Sequence, residues 1–378
     1  MDMQFDSDEF RVRVGRLIEE LKNRDLDAVI LDDGEATSYY FGIDPHQSFY
    51  RAGAITSSGE AFFVLRALDK DVCREQTWVT DMVGHPDWED PLEHIVRKLR
   101  EYGVANGRIG VDYGSHALTI RAFNVLRKAL PEASLVDIDG LPWLLRLRKS
   151  DAEVEKMRKA SAIADATFRD LSANICPGMT ERDLVRMTVE SYVRHGGDAT
   201  YAGTMVIRRE DELDILHGHL NDGVIEAGDV LHVEVIPRFQ GYGARLMRPM
   251  VLGDAPDSLR SIASNLLELQ DSQFAAMKPG VKACDVDRIL REGVLSAGLR
   301  NEYPNITGYT MGYYPDFTVR PSGFNRVLLP TSEWTFEEGM VFHMYTSAKG
   351  IGFSETVLIT ASGCERLTNI ERQILKIA

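Results

Sequence analysis

The 378-residue chain is short of cysteine, of positive charge and of long apolar runs, and each shortage excludes something. Its four cysteines, Cys73, Cys176, Cys284 and Cys364, are scattered and form no Cys-x-x-Cys pair. That excludes a zinc knuckle or a thioredoxin-type site, and scattered thiols suit a reducing cytoplasm. Lysine and arginine number 43 against 58 acidic residues, for a formal net charge of −15. A surface this acidic argues against nucleic acid or an anionic membrane as main partner. It remains compatible with a small cationic or zwitterionic ligand. No apolar run reaches bilayer-spanning length, and the acidic start Met1-Asp2-Met3-Gln4-Phe5-Asp6 lacks the apolar stretch of a signal peptide. A cytoplasmic protein is expected.

What the chain does have is enough apolar residue, 44%, for proper cores, and a length that fits two domains. Helical spacing over 8–23 places Phe10, Val14, Leu17, Ile18 and Leu21 on one face. Strands are predicted at 28–31, 54–56, 61–65, 108–112 and 134–137, with helices over 91–102 and 117–130 between the later ones. Such alternation implies an α/β layered domain. Near Ser150 the pattern changes, and Ser150 with Glu153 forms a capping box for a long helix. We place the domains at 1–148 and 149–378. In the second, Pro177-Gly178 and Pro279-Gly280 each stand between a long helix and a new one, over 181–195 and 284–297. This weak repeat suggests a duplicated α+β domain with helices outside a curved sheet.

Chemistry concentrates in Gly228-Asp229-Val230-Leu231-His232-Val233-Glu234 and in Gly241-Tyr242-Gly243-Ala244-Arg245-Leu246-Met247-Arg248. A carboxylate and arginines within hydrophobic strands are costly to bury and need partners. His217 precedes this region, and Ser354-Glu355-Thr356-Val357 lies far behind it. His195, between a helix and Gly196-Gly197, reads as a C-terminal cap.

Together with Arg148-Lys149-Ser150, Pro177-Gly178-Met179-Thr180-Glu181, Gly339-Met340-Val341-Phe342 and Glu355-Thr356-Val357-Leu358-Ile359-Thr360, these segments resemble the pita-bread hydrolases: methionine aminopeptidase, aminopeptidase P, prolidase and creatinase. The resemblance covers nearly the whole chain. It implies a creatinase/prolidase-type α/β N-terminal domain followed by an α+β pita-bread domain. Metallopeptidases of the family bind two divalent ions with two aspartates, a histidine and two glutamates. Aligned with that set, the aspartate positions fall on Glu234 and Arg245, the histidine on Tyr309, and the first glutamate on Tyr345. The last glutamate is read as Glu355. A guanidinium cannot give up its proton in a protein and repels a dication, so no metal and no cofactor are expected.

The family includes creatinase, which cleaves a C–N bond in a small zwitterion without metal, and the related ectoine hydrolase. The segment from Gly308-Tyr309-Thr310-Met311-Gly312 to Asp316, together with Phe342-His343-Met344 and Ser48-Phe49-Tyr50, is similar to the ectoine-hydrolase type. The resemblance therefore implies a metal-independent hydrolase of a small zwitterionic C–N compound. Glu234 and Glu355 are expected to approach each other across the sheet. His217 carries the acid/base role, as its counterpart does in creatinase, or a glutamate raised by burial is the base. Arg245 and Arg248 suit a substrate carboxylate. Tyr309, Tyr313 and Tyr345 suit hydrogen bonds or a cation–π wall. His343 suits an oxyanion, and His219 is a further site candidate. As in creatinase, a homodimer is expected, with Tyr50 of the partner subunit and Arg51 of the partner subunit closing the site. Two other readings stay open: an Xaa-Pro dipeptidase or aminopeptidase P with an altered metal site, and a binding protein that keeps the fold without catalysis.

Overall fold

Alternating apolar strands and amphipathic helices condense first into a mixed sheet. Strands β1 (Ala28–Leu31), β2 (Ala52–Thr56), β3 (Ala61–Arg66), β4 (Asp81–His85), β5 (Arg108–Val111) and β6 (Ser134–Asp137) lie in the order β4-β3-β2-β1-β5-β6. Side chains alternate between the two sheet faces, so each strand feeds two cores. Val29, Leu31, Phe63 and Leu65 pack on one side with Leu17, Leu21 and Phe41. Ile30, Phe62 and Val64 pack on the other with Ile95, Leu99 and Leu126. Helices thus cover both faces, which is why these strands read as unbroken apolar runs. Asp6 caps the helix Ser7–Asn23, and Asp90 caps Pro91–Glu101.

The structure, a computed structural model, describes residues 5–43, 45, 48–208, 220, 222–314 and 324–377. They fall into two compact units, the first running to Arg146 and the second beginning at Leu147.

In the second unit, helix Asp151–Asn174 starts on the predicted capping box, with Ser150 accepting from the Glu153 amide and Glu153 accepting from the Ser150 amide. Helices Glu181–Arg194, Asp257–Ala276 and Ala283–Ser296 complete the two helix-turn-helix pairs read from the sequence. His195 is the C-cap of the second of these four helices, as expected, and its Nε2 meets Asp170 at 3.0 Å.

The strands are β7 (Met205–Arg208), β8 (Val230–Val235), β9 (Arg238–Phe239), β10 (Tyr242–Gly243), β11 (Leu246–Leu252), β12 (Gly308–Thr310), β13 (Val341–Ala348), β14 (Ile351–Ile359), β15 (Cys364–Arg366) and β16 (Leu375–Ile377). The order β12-β13-β14-β11-β8-β7 is antiparallel throughout; β15 pairs with β14, and β16 runs parallel to β11. β9 and β10 form a separate ribbon.

Register fixes which side chains share a face. Met247 is opposite both Glu234 and Ser354, and Ser354 is opposite Tyr345. One step along, Thr356 is opposite His343, which is opposite Tyr309. Residues directly across a ladder point the same way, so Glu234, Met247, Ser354, Thr356, Tyr345, His343 and Tyr309 line one face. Arg248 and Glu355, each offset by one, line the reverse face.

Candidate active site

The first face carries a chain of charge-assisted contacts. Arg245, just ahead of β11, sends Nε to Glu234 Oε1 at 2.9 Å, and a terminal nitrogen reaches the same oxygen. Its other terminal nitrogen donates to the Tyr309 hydroxyl. The arginine backbone is clasped by Thr356, whose Oγ1 accepts from the Arg245 amide at 2.9 Å and donates to its carbonyl at 3.0 Å. Glu234 is 1% exposed and the Arg245 side chain 14%. Burial opposes the guanidinium charge, but Glu234 with Tyr309 and Tyr314 outweighs it, holding Arg245 above its ordinary pKa. It is a permanent cation.

Aromatic rings box in this chain. Tyr309 stacks on Phe324 with ring centroids 5.1 Å apart and meets His343 edge-on, also at 5.1 Å. His343 stacks on Tyr345 at 5.3 Å. Burial raises the Tyr345 phenol above its usual value, so it is a neutral hydrogen-bonding group. Tyr313 sits further along, edge-on to Tyr242 at 5.6 Å. Its ring fills the space above Gly241, where a Cβ would lie 2.2 Å from it and where φ is +80°. Gly241 is required there on both counts.

Two expectations from the sequence are corrected. Glu355 does not approach Glu234, because it stands at odd parity on β14 and points to the reverse face. There its Oε1 accepts from Arg248 at 2.7 Å and lies 3.2 Å from Arg372, while Oε2 accepts from Thr368. Arg248 is not a substrate ligand either. It is 0% exposed, and every N–H of its guanidinium meets a protein acceptor: the carbonyls of Met247, Ser354, Ile370 and Glu371, and Glu355. This pair ties the segment 364–377 to the sheet. A carboxylate facing the other ligand positions would have to stand one residue earlier, and that residue is Ser354. Its hydroxyl is buried without a hydrogen-bond partner among the described residues.

Tyr50 and Arg51 belong to the first unit. The Tyr50 hydroxyl donates to the Asp32 carboxylate at 2.8 Å, and Arg51 donates to the Asp32 carbonyl at 2.9 Å. Ser115 adds a 2.6 Å bond to the same carboxylate. Burial outweighs these bonds and raises Asp32 to about 6. His217 and His219 lie outside the described residues, as does Asp316.

Sequence reasoning missed Ser354, Thr356, Tyr314 and Phe324. For the first two a signal existed: strict alternation along β14 puts 354 and 356 on the face shared with Tyr345, and 355 on the other.

The family's dinuclear metal centre does not fit this donor set. Its positions hold one carboxylate, one guanidinium, two phenols and one aliphatic hydroxyl. Hard or borderline divalent ions need several anionic oxygens or imidazoles, and Arg245 would repel them. Among the described residues, no group of three or more His, Cys, Asp or Glu is arranged to hold a metal.

The comparisons with known proteins agree with the geometry at the level of family and fold. Ectoine hydrolase of Halomonas elongata is 25% identical over 404 residues, spanning 99% of this chain and 98% of that protein. An uncharacterized hydrolase/peptidase of Sinorhizobium fredii is 26% identical over 391 residues, spanning 98% and 97%. Among solved structures, X-Pro aminopeptidase from Thermotoga maritima matches with a TM-score of 0.84 at 19% identity, over 96% of this chain and 99% of that one. A dipeptidase from Pyrococcus horikoshii matches at 0.81 and 22%, over 97% and 100%. These structural likenesses establish the fold. The family model "Creatinase/Prolidase N-terminal domain" matches residues 13–148, and "Metallopeptidase family M24" matches residues 155–361, more than half of the chain. With a layered α/β unit preceding a curled antiparallel sheet in sequence, the chain belongs to metallopeptidase family M24.

Proposed function

We propose that the chain is a hydrolase that cleaves a C–N bond in a small zwitterion using protein groups alone. The observation that carries this reading is the Glu234–Arg245 pair at 2.9 Å, standing where the family's aspartates would hold ions. A base and a fixed cation side by side supply what a metal otherwise supplies: a proton acceptor for water and charge stabilisation for the oxyanion. Both arginine contacts fall on Oε1, so Oε2 is the oxygen assigned to accept the proton of the attacking water. Arg245 faces the oxygen that gains charge, and the Tyr309–His343–Tyr345 box binds the cationic nitrogen of the substrate. His217 remains the other candidate for proton transfer, by its place in the sequence. The similarity to ectoine hydrolase over nearly the full length supports a cyclic amidine or related zwitterion as substrate class. A homodimer belongs to the same reading, and sedimentation velocity tests it.

The test of the chemistry uses purified, chelator-treated protein with ectoine and creatine as probes. Turnover of one of them, undiminished by chelation, is expected. Activity that vanishes on chelation and returns with manganese or cobalt would defeat the reading in favour of a metallopeptidase.

A further inference from the structure

Arg245 donates to Tyr309 but has no atom that can accept a hydrogen bond. The phenol oxygen is therefore the acceptor in that contact, and the phenol proton must point to something else. Glu234 on Nε and Thr356 on the backbone keep the arginine from swinging away, so this polarity is built in. Phe324, His343 and Tyr345 hold the ring in place, and Tyr309 is 5% exposed. We propose that Tyr309 is the general acid of the reaction, giving its proton to the leaving nitrogen while Arg245 stabilises the phenolate that results.

This rests on the hydrolase reading above, and the step balances. Water forms the new C–O bond and passes a proton to the base. The C–N bond breaks, its electron pair goes to nitrogen, and the Tyr309 proton follows it there. The proton held by the base then returns to the phenolate, so one water is divided across the broken bond.

Among the described residues, the Tyr309 phenol meets Arg245 ahead of β11, which itself holds Glu234 on β8, and the rings of His343 and Tyr345 on β13 lie against it. Only Arg245 touches the oxygen as a fixed cation among them. Attraction between phenolate and guanidinium is mutual, so the contact with Arg245 favours the ionised phenol against the burial that opposes it. Tyr345, a few ångströms away and raised by burial, is the internal control.

The test has two arms. In the first, protein labelled with 3-fluorotyrosine is titrated by fluorine NMR, with the two resonances assigned through Tyr309→Phe and Tyr345→Phe. Tyr309 is expected to titrate below Tyr345, and Arg245→Lys to move it upward. A Tyr309 resonance that titrates at or above that of Tyr345 overturns the proposal without any assay. In the second, Tyr309→Phe keeps the ring and loses the proton, so kcat should fall about 10²–10⁴-fold with KM little changed. The loss should shrink on an analogue whose leaving nitrogen is an aniline of low basicity. An unchanged kcat in Tyr309→Phe overturns the acid role even if the first arm succeeds. No turnover by the wild type on ectoine or creatine points instead to failure of the hydrolase reading, and the NMR arm then still decides whether Arg245 poises the phenol.

Discussion

Two glutamate–arginine pairs lie in one sheet of the second unit, and they differ in almost everything but composition. Glu355–Arg248 is sealed, with both side chains 0% exposed, and backbone carbonyls take the remaining guanidinium N–H groups. Glu234–Arg245 faces the opposite side, leaves its arginine 14% exposed, and spends a donor on a tyrosine. The first pair holds strands and the C-terminal segment together. The second is the pair to which the proposed chemistry is assigned. A buried ion pair is thus not diagnostic of function in itself; what surrounds its leftover donors and acceptors decides.

The comparison can be broken most severely at the sealed pair. Glu355→Ala leaves Arg248 buried without its counter-charge, and about 3–5 kcal/mol of stability should be lost, read as a large drop in the urea midpoint. If unfolding is unchanged while turnover disappears, the roles of the two pairs have been exchanged. Next comes Glu234→Gln, which keeps the shape and removes the base. Turnover should fall about 10²–10⁴-fold, with a shift in unfolding midpoint well below that of Glu355→Ala. Both proteins should be compared in one buffer, since the contrast is the prediction.

A third carboxylate sharpens the comparison. Asp32 is buried in the first unit, where hydroxyls rather than a guanidinium meet its oxygens, and it sits at about 6. Its folded pKa exceeds its unfolded value near 3.8, so the folded state binds the proton more tightly. Stability from this group is present below the unfolded pKa and is lost as pH rises from about 4 through about 6. The size is on the order of 3 kcal/mol. Asp32→Asn should flatten that part of the stability–pH curve; an unaltered curve would rule out Asp32 as its source. The smallest effect is expected at Ser354. Replacing a buried hydroxyl that has no hydrogen-bond partner among the described residues by Ala should leave the unfolding midpoint unchanged or slightly raised, because no such bond is broken. A loss of more than about 1 kcal/mol would mean that the hydroxyl has a structural partner.

Much of the scaffold was legible in the sequence. Apolar runs such as Ala28–Leu31, the capping box at Ser150 and Glu153, and the paired helices behind Pro177-Gly178 and Pro279-Gly280 are local features, written in neighbouring residues. The site was legible only in part. Glu234, Arg245, Tyr309 and Tyr345 were named as candidates by position, and the structure brings them together on one face with His343. Glu355 was misassigned because a carboxylate one residue from the right place looks the same in a motif. In a strand, one residue is half a pleat, and the side chain ends up on the far side of the sheet.

The sequence by itself determined the two-unit fold, the family, and the presence of an arginine where an ion-binding carboxylate is expected. Those follow from composition and order along the chain. Only the tertiary structure decided which charges meet. The partner of Arg245 is set by the register of β8 against β11, and that of Arg248 by the side of β14 on which Glu355 emerges. Register joins residues far apart in the chain, and a shift of one position reverses every face.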